Sequence, residues 1–565
     1  MAPSTSTTAI TVTYINIILY ALSYQLQRPV EPYLVRSLIH NTTSSNTNGA
    51  GGADDNNSSN TTEEETSANV TYGNLTAFFS LIQTIGSPLV GILLDTIGPR
   101  YTSLLVYSAS GLSYYLLSIA HTPRMLYVSK VPALLQHAFL VGQATVVATL
   151  PDSSSTSSSR SGSSGSNDDT ATDADADAAA TTRRAAALAR MTTAYTIGAT
   201  IGPALGGYLA GTTSDLYIGA RLAVWGSLVS VLLSVLYLKD GGGGSKSSSS
   251  SSSQSKQHIR HDTATTSYSS SLSTRETFLQ LTIKSLHYLT HPTIGPLLFV
   301  KFLNGISSSA YTTILPLLVV NKLHFTTHQL GYFMSCNSFT IAIFSAIGMS
   351  YIMKYVNNQS DRLAYVCIGY RIVCMILFGI VVSHVISSSM LLLDSTTNKD
   401  VAASNNNIGL VILTTVISIL ISLSSHVHAT AITTLTTGIV TPNERGTILG
   451  LEHGLFSLAR IVGPPLGTML LSSSSSSTAL SFFGIVASSD TVGLWRVIAM
   501  CTIMDIVLMI CLYSWSSKRL QYSLNVQQKK SSDDDDEEES DGGDRGVHIP
   551  LLDMSGSSSD KDHSD

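Results

Sequence analysis

The chain has 565 residues, a positive mean hydropathy of +0.24 and only 12% charged residues, which excludes a single soluble domain. Its formal net charge of −6 comes largely from the acidic run 533–539, so it says little about a substrate, and no nucleic-acid motif is present. Cys336, Cys367, Cys374, Cys501 and Cys511 fall in apolar stretches without metal-ligand or redox spacing, which argues against a disulfide framework.

A spanning helix needs roughly 20 mostly apolar residues, and about twelve windows meet that length. The first six lie near 10–35, 74–95, 101–120, 125–149, 188–211 and 217–238. The second six lie near 294–320, 328–353, 363–389, 408–440, 446–471 and 491–516. They predict an all-α membrane protein of two six-helix bundles, one over 1–240 and one over 292–516. An extracytoplasmic loop over 40–73 and a low-complexity insert over 151–186 interrupt the first bundle. A flexible linker over 241–291, with a Gly and Ser tract, joins the bundles, and the tail 517–565 reads as disordered by composition.

The first window carries Gln25, Gln27, Arg28 and Glu31 beside Pro29 and Pro32, which break its outer half. Arg28 and Glu31 are three apart and are expected to share a face and pair. After the second window comes Gly91-Ile-Leu-Leu-Asp95-Thr-Ile-Gly98-Pro-Arg100, where Gly98 and Pro99 suit a tight reversal. Asp95 and Arg100 there read either as a polar turn or as a gate that breaks and reforms. In the fifth window stands Gly198-Ala-Thr-Ile-Gly202-Pro203-Ala-Leu-Gly206-Gly207, and in the eleventh its counterpart Gly463-Pro464-Pro465-Leu466-Gly467. Gly and Pro cost helix stability in water, but in a membrane small residues let helices approach closely. The same cluster in both halves predicts a tandem repeat, and Gly202, Pro203, Gly206 and Gly207 are expected to pack one half against the other.

These motifs resemble the major facilitator superfamily. Gly91, Leu93, Asp95, Gly98 and Arg100 match its loop between spans two and three, although Thr96 and Pro99 thin the basic cluster. Gly198 to Gly207 matches its span-five antiporter signature. The twelve-span drug:proton antiporters fit best, and Tyr33-Leu34, Lys130-Val-Pro132 and Gly331-Tyr-Phe-Met334 are similar to organic-cation-transporter-like members of solute carrier family 22. The resemblance implies a non-enzymatic secondary transporter with a pseudo-twofold repeat. It would move small organic solutes, organic cations or drugs among them, by proton-coupled antiport. Lys130 stands where that family carries a span-four Arg implicated in proton coupling; the alternative is a lysine that snorkels to the interface.

Ionisable residues inside spans are functional candidates by default. Here they are Glu31, Lys130, Lys301, Arg371 and Asp505, with Glu452, His453 and Arg460 in the eleventh window. Asp505 and Glu31 are the leading proton carriers, with Lys130 or Arg371 as charge partners; mutual pairing for structure is the alternative. Tyr14, Tyr20, Tyr24, Tyr311 and Phe302 could line a cavity for a cationic amphiphile or serve ordinary packing. No P-loop, HExxH, nucleophile elbow or zinc spacing occurs, so neither an enzyme nor a cofactor or metal is expected. Expected partners are membrane lipids, a small organic solute and protons, with the chain a monomer.

Asn41, Asn57, Asn60 and Asn69 head glycosylation sequons in the first loop, although an Asn/Ser/Thr-rich tract makes sequons by chance. Basic residues collect on the opposite side, among them Arg100, Arg183, Arg184, Lys354, Arg445 and Lys518. Together they place both termini in the cytoplasm, with the chain in the plasma membrane or an endomembrane. Two other readings stay open: an uncoupled carrier of another small solute, and a transporter-like scaffold without turnover.

Overall fold

The computed structural model describes residues 5–47, 57–149, 170–238, 287–356, 359–393, 400–440, 445–472 and 491–537. Among them every regular element is helical, as hydrocarbon demands, because a helix satisfies its own backbone donors and acceptors. The first half holds α1 (Thr5–Gln25), α2 (Glu31–Thr47), α3 (Asn57–Ser118), α4 (Pro123–Lys130), α5 (Ala138–Thr149), α6 (Thr170–Thr213) and α7 (Ile218–Tyr237). The second holds α8 (Gly295–Asn321), α9 (Thr327–Ile343), α10 (Met349–Tyr355), α11 (Ser360–Leu393), α12 (Asp400–Ile439), α13 (Arg445–Ser472) and α14 (Val492–Glu537). A π turn over Phe344–Gly348 links α9 to α10 in one span. Among the described residues nine helices are long and apolar enough to cross a membrane.

The repeated signatures explain how the halves are built. In the first, Gly198, Gly202 and Gly206 face α1, where an added Cβ would meet Ile18, Gln25 and Leu26. In the second, Gly463 and Gly467 face α8 in the same manner, against Ser309, Ala310 and Ile314. The two remaining positions face across the molecule. A Cβ on Gly207 would meet Gly331 of α9, and one on Gly331 would meet the Pro203 carbonyl. The symmetric seam repeats this: a Cβ on Gly73 of α3 would meet the Pro464 carbonyl and Thr468 of α13. The expectation that Gly202, Pro203, Gly206 and Gly207 pack half against half is therefore corrected in part: Gly202 and Gly206, with Gly198, seat α6 within its own half, whereas Pro203, Gly207 and Ala204, whose amide donates to Ser335 at 2.8 Å, reach the other.

Both seams lie at one end of the bundle. Asn321 donates to Asn69 at 3.0 Å, Lys322 lies 3.9 Å from Glu65, and the Tyr33 hydroxyl donates to the Phe325 carbonyl at that same end. Leu317 of α8 joins Leu34, Leu38 and Tyr72 in a shared apolar cluster there. Toward the other end α6 and α9 part, leaving a gap lined by Thr193, Ile197, Ile201, Phe339, Ile343 and His426. The α6–α9 seam is thus closed at one end and parted at the other.

Many of the abundant Ser and Thr residues bond within their own helix. Thr76, Ser80 and Thr84 of α3 each donate to the carbonyl four residues earlier, as do Thr102 and Ser103. Large apolar side chains such as Trp225, Val366 and Met469 are exposed on the helix outsides, as lipid-facing positions are.

Several expected boundaries shift. The first window is two helices, parted at residues 26–30. The described residues of the loop at 40–73 are helical, since α2 runs to Thr47 and α3 starts at Asn57. The insert turns helical at Thr170, where Ala-rich sequence favours a helix, and the tail is helical to Glu537. Most of the linker, and the tail beyond residue 537, lie outside the described residues. Of the sequons, Asn41 is exposed on α2, whereas Asn69 is 4% exposed and bonded to Asn321, which corrects its reading as an accessible acceptor. The side chains of Asn57 and Asn60 lie outside the described residues.

Candidate functional site

Two spans of the first half are broken at the same depth. α1 stops at Gln25, and the chain turns through residues 26–30 before α2 begins at Glu31. Pro29 lacks the amide that a continuing helix would use, so short bonds such as Val30 N–H to the Gln27 carbonyl (3.0 Å) replace the helical ladder. The fourth window was read as one span, yet it also breaks. α4 ends at Lys130, a 3₁₀ turn covers Val131–Leu135 with Pro132 near its start, and α5 begins only at Ala138.

Both breaks open onto one cavity. Tyr24, Gln27, Arg28 and Glu31 come from the first break and Lys130 and Gln136 from the second, with Tyr72, Phe79 and Tyr114 from α3. Arg460 of α13 reaches the same cavity from the other half. Hydrogen bonds fix the polar wall. Gln136 donates to the Tyr114 hydroxyl at 2.6 Å, and its carbonyl accepts from Tyr20 at 3.0 Å. Ser113 donates to the Ser129 carbonyl at 2.7 Å and ties α3 to α4. Tyr24 stacks on Phe79 at 5.9 Å between ring centres.

Glu31 and Lys130 form an ion pair in this wall, with side chains 17% and 13% exposed. Lys130 also lies over the Phe79 ring, 5.6 Å from its centre. The pairing of Glu31 with Arg28 does not occur. That expectation assumed a continuous helix, and the break turns Arg28 onto Tyr24 instead, 5.6 Å from the ring centre. Arg28 Nε is buried with no hydrogen-bond partner.

The other candidate charges are sealed elsewhere. Arg371 Nε donates to Asp505 at 2.8 Å and Nη1 donates to Asn304, while Nη2 donates to the second Asp505 oxygen. Asp505 is 0% and Arg371 2% exposed, and neither lines the central cavity. Lys301 pairs with Glu452, which Thr433 and Thr436 also bond. Thus Lys301 and Asn304, three apart on α8, serve two different ion pairs.

In the loop motif Gly98 has φ +79°, a left-handed conformation that only glycine adopts cheaply, and it reverses the chain inside α3. Arg100 donates to the Val235 carbonyl at 3.3 Å. The Asp95 side chain lies outside the described residues. Gly91 has open space around it. Of the aromatic candidates, Tyr24 lines the cavity, whereas Tyr14 donates to the Ala187 carbonyl at 3.0 Å and Tyr311 to Ser418 at 3.1 Å. The five cysteines are free, and no group of metal-binding side chains occurs among the described residues.

Known proteins match this arrangement along most of its length. Residues 13–420 and 297–500 match the Major Facilitator Superfamily. The chain belongs to the major facilitator superfamily. Within it, the chain is 21% identical to solute carrier family 22 member 18 of Mus musculus over 71% of this chain and 81% of the relative. The Rattus norvegicus protein of the same name is 22% identical over 71% and 79%. Among solved structures, a bacterial homologue of the human lysosomal transporter Spinster superposes with a TM-score of 0.55 at 11% identity, covering 92% of this chain and 99% of that one. A peptide transporter gives 0.52 at 13% identity over 90% and 94%. As a superfamily member, the chain is an integral multi-pass membrane protein and a secondary transporter by fold, and that fold and family point to a non-enzymatic carrier of small solutes.

Sequence reasoning named Glu31 and Lys130 but not the second break or the roles of Gln136 and Arg460. Pro132 followed by Gln136 and His137 inside an apolar window was the available signal: three polar or helix-breaking positions within one turn and a half.

Proposed function

We propose that this protein moves small organic solutes by alternating access and couples their flux to protons at the Glu31–Lys130 pair. The observation that carries the reading is the convergence of two broken helices on one cavity that also takes Arg460 from the opposite half. Discontinuous helices at the interface of two repeats are where secondary transporters build solute and ion sites. Glu31 is the one carboxylate lining that cavity among the described residues. A carboxylate held by one lysine can exchange its partner for a proton, and the Lys130 charge then becomes available to the solute. The sign of coupling follows the solute: a cation displaces the proton, as in antiport, whereas an anion favours it.

The glycine seams supply the rocking surfaces. With both termini cytoplasmic, as the basic loops argue, the closed end faces outward or toward a lumen and the open end faces the cytoplasm. The membrane is the plasma membrane or an endomembrane. Asp95 and Arg100 would then lie at the open end and act when it closes.

The test is flux into liposomes holding purified protein under an imposed pH gradient, with a panel of organic ions. Gradient-driven uptake that Glu31→Gln abolishes and Glu31→Asp partly keeps is expected. Full pH-driven uptake by Glu31→Gln would remove the pair from the coupling step and favour an uncoupled carrier. A protein that moves no solute and never exposes the closed end to a thiol reagent would be a scaffold.

A further inference from the structure

The charges facing the central cavity do not balance. Arg28, Lys130 and Arg460 line it against the single carboxylate Glu31, so three positive groups meet one negative, a surplus of two. Lys130 and Glu31 satisfy one another. Arg28 makes no ion pair with any described residue, its Nε is buried without a hydrogen-bond partner, and its guanidinium rests on Tyr24. No ion pair or hydrogen bond joins Arg460 to any described residue; it enters the cavity from α13 and acts electrostatically on Tyr24 and Tyr195. The remaining polar wall is neutral: Gln27, Tyr72, Thr76, Ser113, Tyr114 and Gln136.

A cation removed from bulk water without a counter-charge is costly, and proteins retain such groups where a ligand supplies the missing charge. We propose that this carrier's substrate is an organic anion, a carboxylate or sulfonate on an aromatic or apolar body, whose charged group bridges Arg28 and Arg460. The inference rests on the transport reading above and reverses the cationic substrate that the sequence suggested. A guanidinium offers planar paired donors that match a carboxylate or sulfonate. Tyr24, Tyr72, Phe79 and Leu75 present the apolar surface for the body of the molecule. A cationic amphiphile would instead enter a space with a net positive charge, where like-charge juxtaposition selects against it. Because the two arginines come from opposite halves, the anion would draw the halves together over the substrate.

The sign of the pH dependence follows from the groups around Glu31. Lys130 of α4 pairs with it, Arg28 lies in the adjoining turn, Tyr24 of α1, Tyr72 and Tyr114 of α3 and Arg460 of α13 line the same cavity, and Tyr217 shares a second, smaller cavity with it. Protonating Glu31 removes the one negative charge lining the cavity among the described residues and frees Lys130, so the surplus rises from two to three. Anion affinity therefore rises as pH falls, and the proton travels with the anion rather than against it.

The experiment uses the purified full chain in liposomes, with radiolabelled naphthalenesulfonate as the anion and tetraethylammonium as the cation. Thermal unfolding with and without naphthalenesulfonate measures binding apart from flux. Anion uptake should exceed cation uptake by at least roughly tenfold, a difference of one order in apparent affinity. It should increase with external acidity. Arg28→Gln and Arg460→Gln should each abolish the thermal shift while leaving the ligand-free unfolding temperature unchanged, and Arg28→Lys should restore part of it. Uptake of tetraethylammonium without uptake or thermal shift by naphthalenesulfonate would overturn the anion assignment and leave the carrier reading standing. If neither ion moves and the closed end never opens to a thiol reagent, both readings fall.

Discussion

Each half of the molecule buries charge, but in two different ways. In the second half, Arg371 and Asp505 are 2% and 0% exposed, and Asn304 and the two Asp505 oxygens take up the guanidinium donors. Lys301 and Glu452 are closed in likewise by Thr433 and Thr436. In the first half, the Glu31–Lys130 pair lines the central cavity, and Arg28 beside it forms no ion pair with any described residue. A satisfied buried network fixes one arrangement of helices, whereas a partly satisfied one has a state still to be completed. Burial and charge alone therefore do not mark a working residue; the partner count and the facing space do.

The largest effect expected from this contrast is on stability in the second half. Asp505→Asn strands Arg371, and removing one partner of a sealed pair costs about 3–5 kcal/mol. Yield of monodisperse protein in detergent should collapse, and the double change Arg371→Met with Asp505→Leu should recover much of it. A well-folded Asp505→Asn protein with altered pH dependence alone would place the coupling site in the second half and break the comparison.

The matching change in the first half should spare folding. Lys130→Gln leaves Glu31 near open space, where it can hydrate or protonate, so the unfolding temperature should stay close to wild type. Solute flux should fall by roughly tenfold or more, the loss of about 1.4 kcal/mol of solute interaction. Equal losses of stability in Lys130→Gln and Asp505→Asn would erase the distinction.

The seams offer a smaller test. Gly207→Ala puts a methyl group against Gly331, and overpacking of this kind costs about 1–3 kcal/mol. Because the clash exists only when that end is closed, the population should shift toward the state open there, read by cysteine labelling at Asn69→Cys. Gly73→Ala should act in the same direction through the symmetric seam. Gly202→Leu differs: it should disturb α1 within its own half and lower yield before it alters accessibility.

The smallest effect is at the loop. Gly98→Ala forces a side chain into the left-handed region at about 1–2 kcal/mol, with open space around it. A slightly lower unfolding temperature with normal solute binding is expected in a thermal melt.

What the sequence made legible follows from locality. The repeated Gly-Pro clusters and the reversal at Gly98 are short-range signals that survive in the structure, whereas of about twelve expected spans nine are helices of spanning length and hydropathy among the described residues. Lys130 and Glu31 stood out because charge inside an apolar window is rare. Their pairing, 99 residues apart, depends on where two broken helices end in space. Arg28 was assigned to Glu31 because a three-residue spacing implies a shared helical face, and the turn at residues 26–30 cancels that inference. Asp505 and Arg371 looked as functional as Glu31, since sequence shows the presence of a charge but not whether Asn304 and a neighbouring helix have enclosed it. Arg460 was visible as a charge, yet which way it faces is set by the seating of α13 against α3 and α8.

α8 has a consequence for how the protein is made. Its span is 83% buried inside the molecule, whereas the other candidate spans range from 22% to 44%, so it has the least surface left for lipid. It also carries Lys301, whose partner Glu452 lies 151 residues further along the chain. Lys301 lies about two turns from the start of α8, so its cost on insertion falls below the about 2.5–3.5 kcal/mol of a lysine at a helix centre but still opposes insertion. The ribosome thus delivers this helix long before its counter-charge is synthesised. During that interval the first bundle can settle, while α8 must wait at the translocon or be held by a membrane chaperone. Chains that stop before Glu452 should be degraded as unassembled intermediates, although every span up to that point is intact.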